Sequence, residues 1–270
     1  MHLMLKLLRE LMTQRRLIWE LGKADFRKRF VGSYFGIVWM FIQPIATVLV
    51  YFFVFQIGMK STPPVPDAPY VIWLIPGIIP WFFFSDAISG LTGTMSEYSY
   101  LVKKMAFPVE LLPAIKLLSC FFVHFCFIVI MLVVFLISGY IPEPSWIQII
   151  YYSFAAGVLS LGLGYLTSAV NVFFKDMSQI VSIALQFGMW LVPIMYWEGL
   201  FTTDHPWMEL VFKLNPFYYI VTGYRDSMLM GDFFFERPLN TLYFWGFALI
   251  LCYVGLKVFM KLRPHFSDVL

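Results

Sequence analysis

Six stretches of the chain carry apolar residues almost without interruption, at about 33–58, 70–93, 111–139, 147–171, 178–198 and 239–260. Each reaches the ~20 residues that a helix needs to cross the hydrocarbon of a bilayer. None alternates apolar and polar positions with a period of two, so a membrane β-barrel is not expected. Lipid offers backbone groups no water, and such runs satisfy their own hydrogen bonds as helices. The pattern predicts an all-α polytopic membrane protein with six transmembrane helices, forming a single domain over residues 1–270.

The connecting stretches are less plain. Residues 13–31 never hold a long apolar run. On a helical wheel Arg16, Lys23 and Arg27 share one side beside Glu20, Trp19, Phe26 and Phe30 share another, and Leu17, Ile18, Leu21 and Ala24 form a third. A helix of that kind suits the surface of an anionic leaflet. A plain positively charged flank would explain the charges alone. Between the second and third runs, 94–108 opens on Thr94 or Ser96 and closes on Phe107-Pro108. It reads either as a short helix presenting Tyr98, Leu101, Val102 and Met105 as apolar anchors or as a simple turn with lysines. The outer connections 60–69 and 140–146 are proline-bearing loops. The segment 199–238 is long and aromatic, and predicts short helices at the outer membrane face around 206–214 and 217–230. Arg225, Asp226 and Asp232 speak against a seventh span there.

Composition sharpens this. Of 270 residues, 60% are hydrophobic and 13% charged, with a mean hydropathy of +0.78. Soluble domains carry about 25% charged residues, so a soluble globule is excluded. The net charge of +3 is too small to suggest a nucleic-acid partner. Its placement is informative: with the N-terminus inside, fourteen Lys and Arg fall in inner segments and four (Lys60, Lys213, Arg225 and Arg237) in outer ones. That bias predicts both termini in the cytoplasm. The three cysteines sit in apolar runs, which argues against disulfides and metal ligation. The first 30 residues lack the apolar core of a signal peptide.

Catalytic signatures are missing. No P-loop, nucleophile elbow or zinc-protease motif occurs in the sequence. His124, inside the third run, is expected to make a helix-packing hydrogen bond rather than relay protons. Asp86 in the second run and Glu198 at the end of the fifth are too sparse for an ion-coupled carrier or a membrane enzyme. Aromatic residues make up 20% of the chain. Trp73, Trp146, Trp207 and Trp245 are placed for the interfacial belt. Others crowd prolines: Tyr34, Phe35 and Trp39 before Pro44, Trp81 to Phe84 after Pro76 and Pro80, and Trp190, Tyr196 and Trp197 around Pro193. Aromatic faces stack on sugar rings, so some of these suit a pathway for a glycan-like polymer, while most fill lipid-facing and helix–helix surface.

Four segments together resemble the ABC-2 type permeases: IPGIIPWFFFSDAI (75–88), LVKKMAFPVELLP (101–113), NVFFKDMSQI (171–180) and LNPFYYIVTGYRDSML (214–229). The match is to the polysaccharide and polyol-phosphate export branch, and the last segment is most similar to permeases of wall teichoic acid exporters. The resemblance implies export of a lipid-linked teichoic acid, an anionic glycopolymer, across a bacterial cytoplasmic membrane; an O-antigen or capsular polysaccharide is the alternative cargo. It implies a second copy of the chain and two separate ABC ATPase subunits that hold ATP and Mg, with no cofactor, metal or catalysis in this chain itself. By position, 13–31 would be an interface helix with Trp19, Lys23, Phe26 and Arg27 at the membrane surface. The 94–108 segment would be a coupling helix docking through Glu97, Tyr98, Leu101, Lys103, Lys104 and Phe107. Tyr34, Phe35, Trp39, Phe83, Phe84, Trp190 and Tyr196 would line a channel between two copies. Tyr218, Tyr219, Arg225 and Asp226 would shape its exit, with Arg225 and Asp226 forming an internal ion pair or Arg225 meeting a phosphate.

Overall fold

Two short helices precede the membrane part, α1 (His2–Thr13) and α2 (Arg15–Lys28), joined at Gln14. The computed structural model describes all residues except 1, 33, 62, 66, 67, 105 and 106. Met105, expected as an anchor, and parts of 60–69 and 94–108 therefore lie outside the described residues. No strand occurs among those described.

The first apolar run forms a 3-10 turn (Gly36–Val38), α3 (Trp39–Tyr51) and a π-helical end (Phe52–Gly58). The second forms α4 (Tyr70–Glu97), followed by a single turn, α5 (Ser99–Val102). Then come α6 (Leu112–Ile137), α7 (Gln148–Phe173) and α8 (Met177–Leu191). Short helices α9 (Gly199–Thr202), α10 (Trp207–Leu214) and α11 (Pro216–Arg225) lead to α12 (Pro238–Leu262) and a last turn, α13 (Phe266–Val269). Among the described residues, five helices are long and apolar enough to cross a membrane: Gly36–Gly58, Tyr70–Glu97, Val109–Ile137, Pro144–Phe173 and Pro238–Val269.

Two expectations change here. The run at 178–198 gives only the 15 residues of α8, a rise of about 22 Å against a hydrocarbon core of about 30 Å. The cause is Pro193. It lacks a donor and pushes the residue before it out of the helical region, and Val192 is extended at φ −105°, ψ 131°. The coupling segment also begins differently. Thr94 and Ser96 start no helix. Both lie inside α4, and the Thr94 hydroxyl donates back to the Gly90 carbonyl at 2.8 Å. The helix of the second run continues to Glu97 and kinks at Tyr98 before α5.

Helix α4 runs through the middle of the protein, packed by α6, α7 and α11, and forms the main apolar core with them and α12. Helices α7 and α12 cross at a pair of glycines, where a Cβ on Gly255 would collide with the Gly162 carbonyl oxygen. Small residues let the two backbones approach, which is how helices associate where lipid removes the hydrophobic drive. A second core gathers Tyr98, Leu112, Tyr165, Phe259 and Phe266 with Leu3, Leu7 and Leu270, so both termini share one end of the bundle. Against these cores the first span is loosely held: Met40, Phe41, Val48, Tyr51 and Phe55 rest on the main core, but none of the residues in its apolar window is buried, and α8 buries only Val181. Trp73, read as interfacial, is 3% exposed and belongs to the core, as does Trp146. Trp207 is exposed as expected.

Candidate functional site

At the end that holds the termini, charged side chains from three elements meet. Asp25 of α2 accepts from Lys116 of α6 at 3.0 Å and from the Tyr98 hydroxyl, between α4 and α5. Lys116 also donates to Glu97 at 2.7 Å, and Lys28 donates to the other Glu97 oxygen at 3.2 Å while lying 5.4 Å above the Tyr98 ring. Burial pushes the Asp25 carboxyl up, but hydrogen bonds to it and the Lys116 charge outweigh burial and hold it below the usual carboxylate range. Burial, the hydrogen bond to Asp25 and its charge push the Tyr98 hydroxyl up, so it remains a donor. A lysine in an apolar run needs a counter-charge, and α2 supplies it.

The expected docking residues divide accordingly. Lys103 and Lys104 are exposed, and Tyr100 beside them is 56% exposed. Tyr98 turns inward as a brace rather than an outward contact. Leu101 and Phe107 are half-buried against the terminal core, and Glu97 is engaged by two lysines. On α2, Trp19, 48% exposed, and half-buried Phe26 each pack edge-on against Phe122 of α6, at ring separations of 5.4 and 5.7 Å. Lys23 pairs with Glu20 and lies over the Trp19 ring, and Arg27 is exposed. Asp25, Lys28 and Arg29 were not singled out in the sequence. The available signal was an acid placed within a basic helix and a lysine, Lys116, without a local partner.

Within the membrane part, a cavity of about 590 Å³ lies between α3, α4 and α6. Arg29 reaches its rim and donates to Asp86 at 2.7 Å. Trp39 and Phe83 line it, as do Gln43, Trp81, Phe82 and His124. Phe83 also packs against Phe121 and His124. Phe84, one residue on, points to the other side of α4, onto Phe217 and into an apolar cavity of about 350 Å³ bordered by α7, α8 and α12. Tyr34, Phe35 and Trp190 are exposed outside both cavities, and Tyr196 donates to the Trp190 carbonyl at 2.6 Å. His124 makes the expected packing bonds, to Ser153 and to Tyr224.

On the far side of the bundle the expected Arg225–Asp226 ion pair is absent. Neighbouring residues on a helix do not face each other. Asp226 pairs instead with Arg237 at 2.7 Å. Arg225, 7% exposed, donates to the carbonyls of Pro193 and Ile194 at 2.6 and 2.5 Å and lies 3.7 Å above the Trp73 ring. Those carbonyls are freed where α8 breaks, so the buried guanidinium ties the broken end of α8 to α4, with its Nε directed to the Trp73 carbonyl. Tyr218 donates to Glu198 at 2.5 Å, and Tyr219 lies within hydrogen-bond reach of Thr241 and Tyr151; both are buried.

The family description that matches this chain, ABC-2 type transporter, covers residues 16–229, from α2 through the Arg225 clamp. The chain belongs to the ABC-2 type transporter family. Among relatives of this ABC-2 protein is the O-antigen export system permease protein RfbA of Myxococcus xanthus, 27% identical over 269 residues, 98% of this chain and 99% of its own. RfbA of Klebsiella pneumoniae is 26% identical over 247 residues, covering 91% and 92%. The polysialic acid transport protein KpsM of Escherichia coli is 23% identical over 248 residues, covering 87% and 89%. These relatives are named for O-antigen and polysialic acid. They favour the alternative cargo over teichoic acid, which none of the three names.

Proposed function

We propose that this ABC-2 protein is the membrane subunit of an ATP-driven exporter that carries a lipid-linked polysaccharide, of O-antigen or capsule type, out across a bacterial inner membrane. The observation that carries the reading is the Asp25–Lys116–Glu97–Tyr98 cluster. It locks α2 and the α4–α5 kink to the start of α6, so a push on α5 moves two spans and the surface helix together. The excess of Lys and Arg at that end supports a cytoplasmic position for it and for both termini. The sequence has no P-loop, and the force comes from a separate ATPase pair, which holds ATP and Mg. Exposed Lys103, Lys104 and Tyr100 on the α5 turn are its contact, and α2 lies along the inner leaflet.

A second copy covers the outer faces of the first span and α8, where Leu49 and Phe187 are exposed in one chain. Tyr34, Phe35, Trp39 and Trp190 then border the space between copies. Helix α8, completed by the clamped Val192–Ile194 segment, counts as the sixth crossing.

Co-expression with a candidate ABC ATPase subunit and reconstitution in vesicles tests this. The wild type is expected to co-purify with the ATPase and to move polymer only with ATP. A Lys103→Glu, Lys104→Glu double variant is expected to keep its fold but lose ATPase association and export. Full export with no ATP-hydrolysing partner present would retire the reading.

A further inference from the structure

The chamber between α3, α4 and α6 holds chemistry that force transmission does not use. Asp86 lies within the second apolar run, yet its side chain is 43% exposed. An ionised carboxylate facing hydrocarbon is costly, and here the exposure is to the chamber, which Asp86 lines. Its Oδ2 accepts from Arg29, while Oδ1 has no hydrogen bond among the described residues. The side chains of Gln43, Ser85 and Ser89, on the same walls, also make none among those residues. A second and independent sign comes from His124. It is 2% exposed and lines the chamber, and its Nδ1 has no partner, whichever tautomer satisfies Ser153 and Tyr224 through Nε2.

We infer that this chamber is a binding subsite, within each protomer, for one or two uncharged sugar units of the polymer. The inference rests on the export reading and names the chemistry of its cargo. Asp86 Oδ1 accepts a sugar hydroxyl in a charge-assisted bond, stronger than a neutral one. Gln43, Ser85 and Ser89 supply the neutral donors and acceptors that remaining hydroxyls need. Trp39 lines the chamber and is 52% exposed, and the negative quadrupole of an aromatic ring matches the C–H face of a pyranose. The volume, about 590 Å³, falls within the 300–1,000 Å³ of small-molecule sites.

Electrostatics selects the class of ligand. Among the described lining residues Arg29 is the sole cation, and Asp86 already neutralises it at 2.7 Å. A phosphate entering the chamber meets a carboxylate and finds no free positive charge. A neutral or sparsely charged glycan is therefore held, and a polyphosphate chain is turned away.

The test uses the permease–ATPase complex in lipid nanodiscs. Trp39 and Trp81 border the chamber, so intrinsic tryptophan fluorescence reports its occupancy. Gluco-, galacto-, manno- and rhamno-trisaccharides are titrated beside a glycerol-phosphate trimer. At least one neutral trisaccharide is expected to give a saturable change, weakened at least tenfold by Asp86→Asn and partly restored by Asp86→Glu, with no saturable change from glycerol phosphate. No response to any neutral sugar, an unaltered response in Asp86→Asn, or equal binding of glycerol phosphate overturns the inference. If Asp86→Asn fails to assemble, Gln43→Ala and Ser89→Ala, which break no ion pair, carry the test: severalfold weaker binding in both supports the subsite, and wild-type binding in both removes it. Wild-type polymer export is measured in parallel. Export without sugar binding retires the subsite alone, whereas absence of ATP-dependent glycan export retires the transport reading itself.

Discussion

The Asp25 carboxylate and the Lys116 ammonium meet at 3.0 Å with side chains 0% and 7% exposed, a buried ion pair that joins the surface helix α2 to the start of α6. Removing one partner of such a pair leaves an uncompensated buried charge and costs about 3–5 kcal/mol. Asp25→Ala is therefore expected to lower the melting temperature of the detergent-solubilised protein and to open 13–31 to protease. The double variant Asp25→Ala, Lys116→Met, which removes both charges, recovers most of the loss. An Asp25→Ala protein that melts like the wild type would remove this pair from any coupling role.

The same carboxylate sets a pH dependence. Burial raises its pKa, but its hydrogen bonds and Lys116 hold it below the ordinary value. A carboxylate depressed in the folded state contributes stability that is complete above its unfolded pKa, about 3.9, and lost as pH falls through the lower folded value. The α2–α6 contact is thus expected to hold from neutrality down to about pH 4 and to fail only in stronger acid. A variant whose one tryptophan is Trp19, which packs on Phe122 at 5.4 Å, reports this through fluorescence anisotropy against pH. Release of α2 near neutrality would contradict the assignment.

The membrane helices were legible because lipid leaves the backbone one solution, and α4, α6, α7 and α12 begin and end within a few residues of their apolar runs. The early end of α8 was not, because apolar composition continues past Leu191 and a single missing donor at Pro193 stops the helix. Of the aromatic cluster in α4, Phe83 reaches the chamber and Phe84 does not, since one residue along a helix turns a side chain by ~100°. Asp86 was noticed as a lone membrane acid, but its partner Arg29 lies 57 positions away and hydrophobic pattern carries no such pairing. Arg225 was read beside Asp226 because carboxylates are visible in a sequence. Its true acceptors are backbone carbonyls, which no residue letter marks.

Arg225 offers a separate test. Its planar fork spans two carbonyls while its face covers Trp73, and a lysine ammonium is a single point that cannot do both. Each hydrogen bond to a charged group is worth about 1.5–3 kcal/mol. Arg225→Lys is expected to destabilise the protein by an amount of that order, and Arg225→Gln by more. Gly77→Ala, which places a Cβ 2.7 Å from the guanidinium, should move thermal stability in the same direction. A fully stable Arg225→Lys protein would show that the clamp does not hold the α8 break.

Exposed apolar residues alone say little in a membrane, because lipid covers them as well as protein does. The first span is different in degree. It buries none of its apolar window, whereas the other four long helices bury 28–72% of theirs, and its leading aromatics pack edge-on only on one another, at 5.2 and 5.8 Å. A helix so poorly held by its own chain is expected to be held by a second. In a background with Cys120, Cys126 and Cys252 replaced, Leu49→Cys on the first span and Phe187→Cys on α8 should each give a dimer band with a short bis-maleimide in native membranes. Leu242→Cys on α12 is also exposed, at 73%, but α12 lies outside the proposed interface and should give none. Equal cross-linking at all three positions would mean random collision, and the pathway between copies would lose its support.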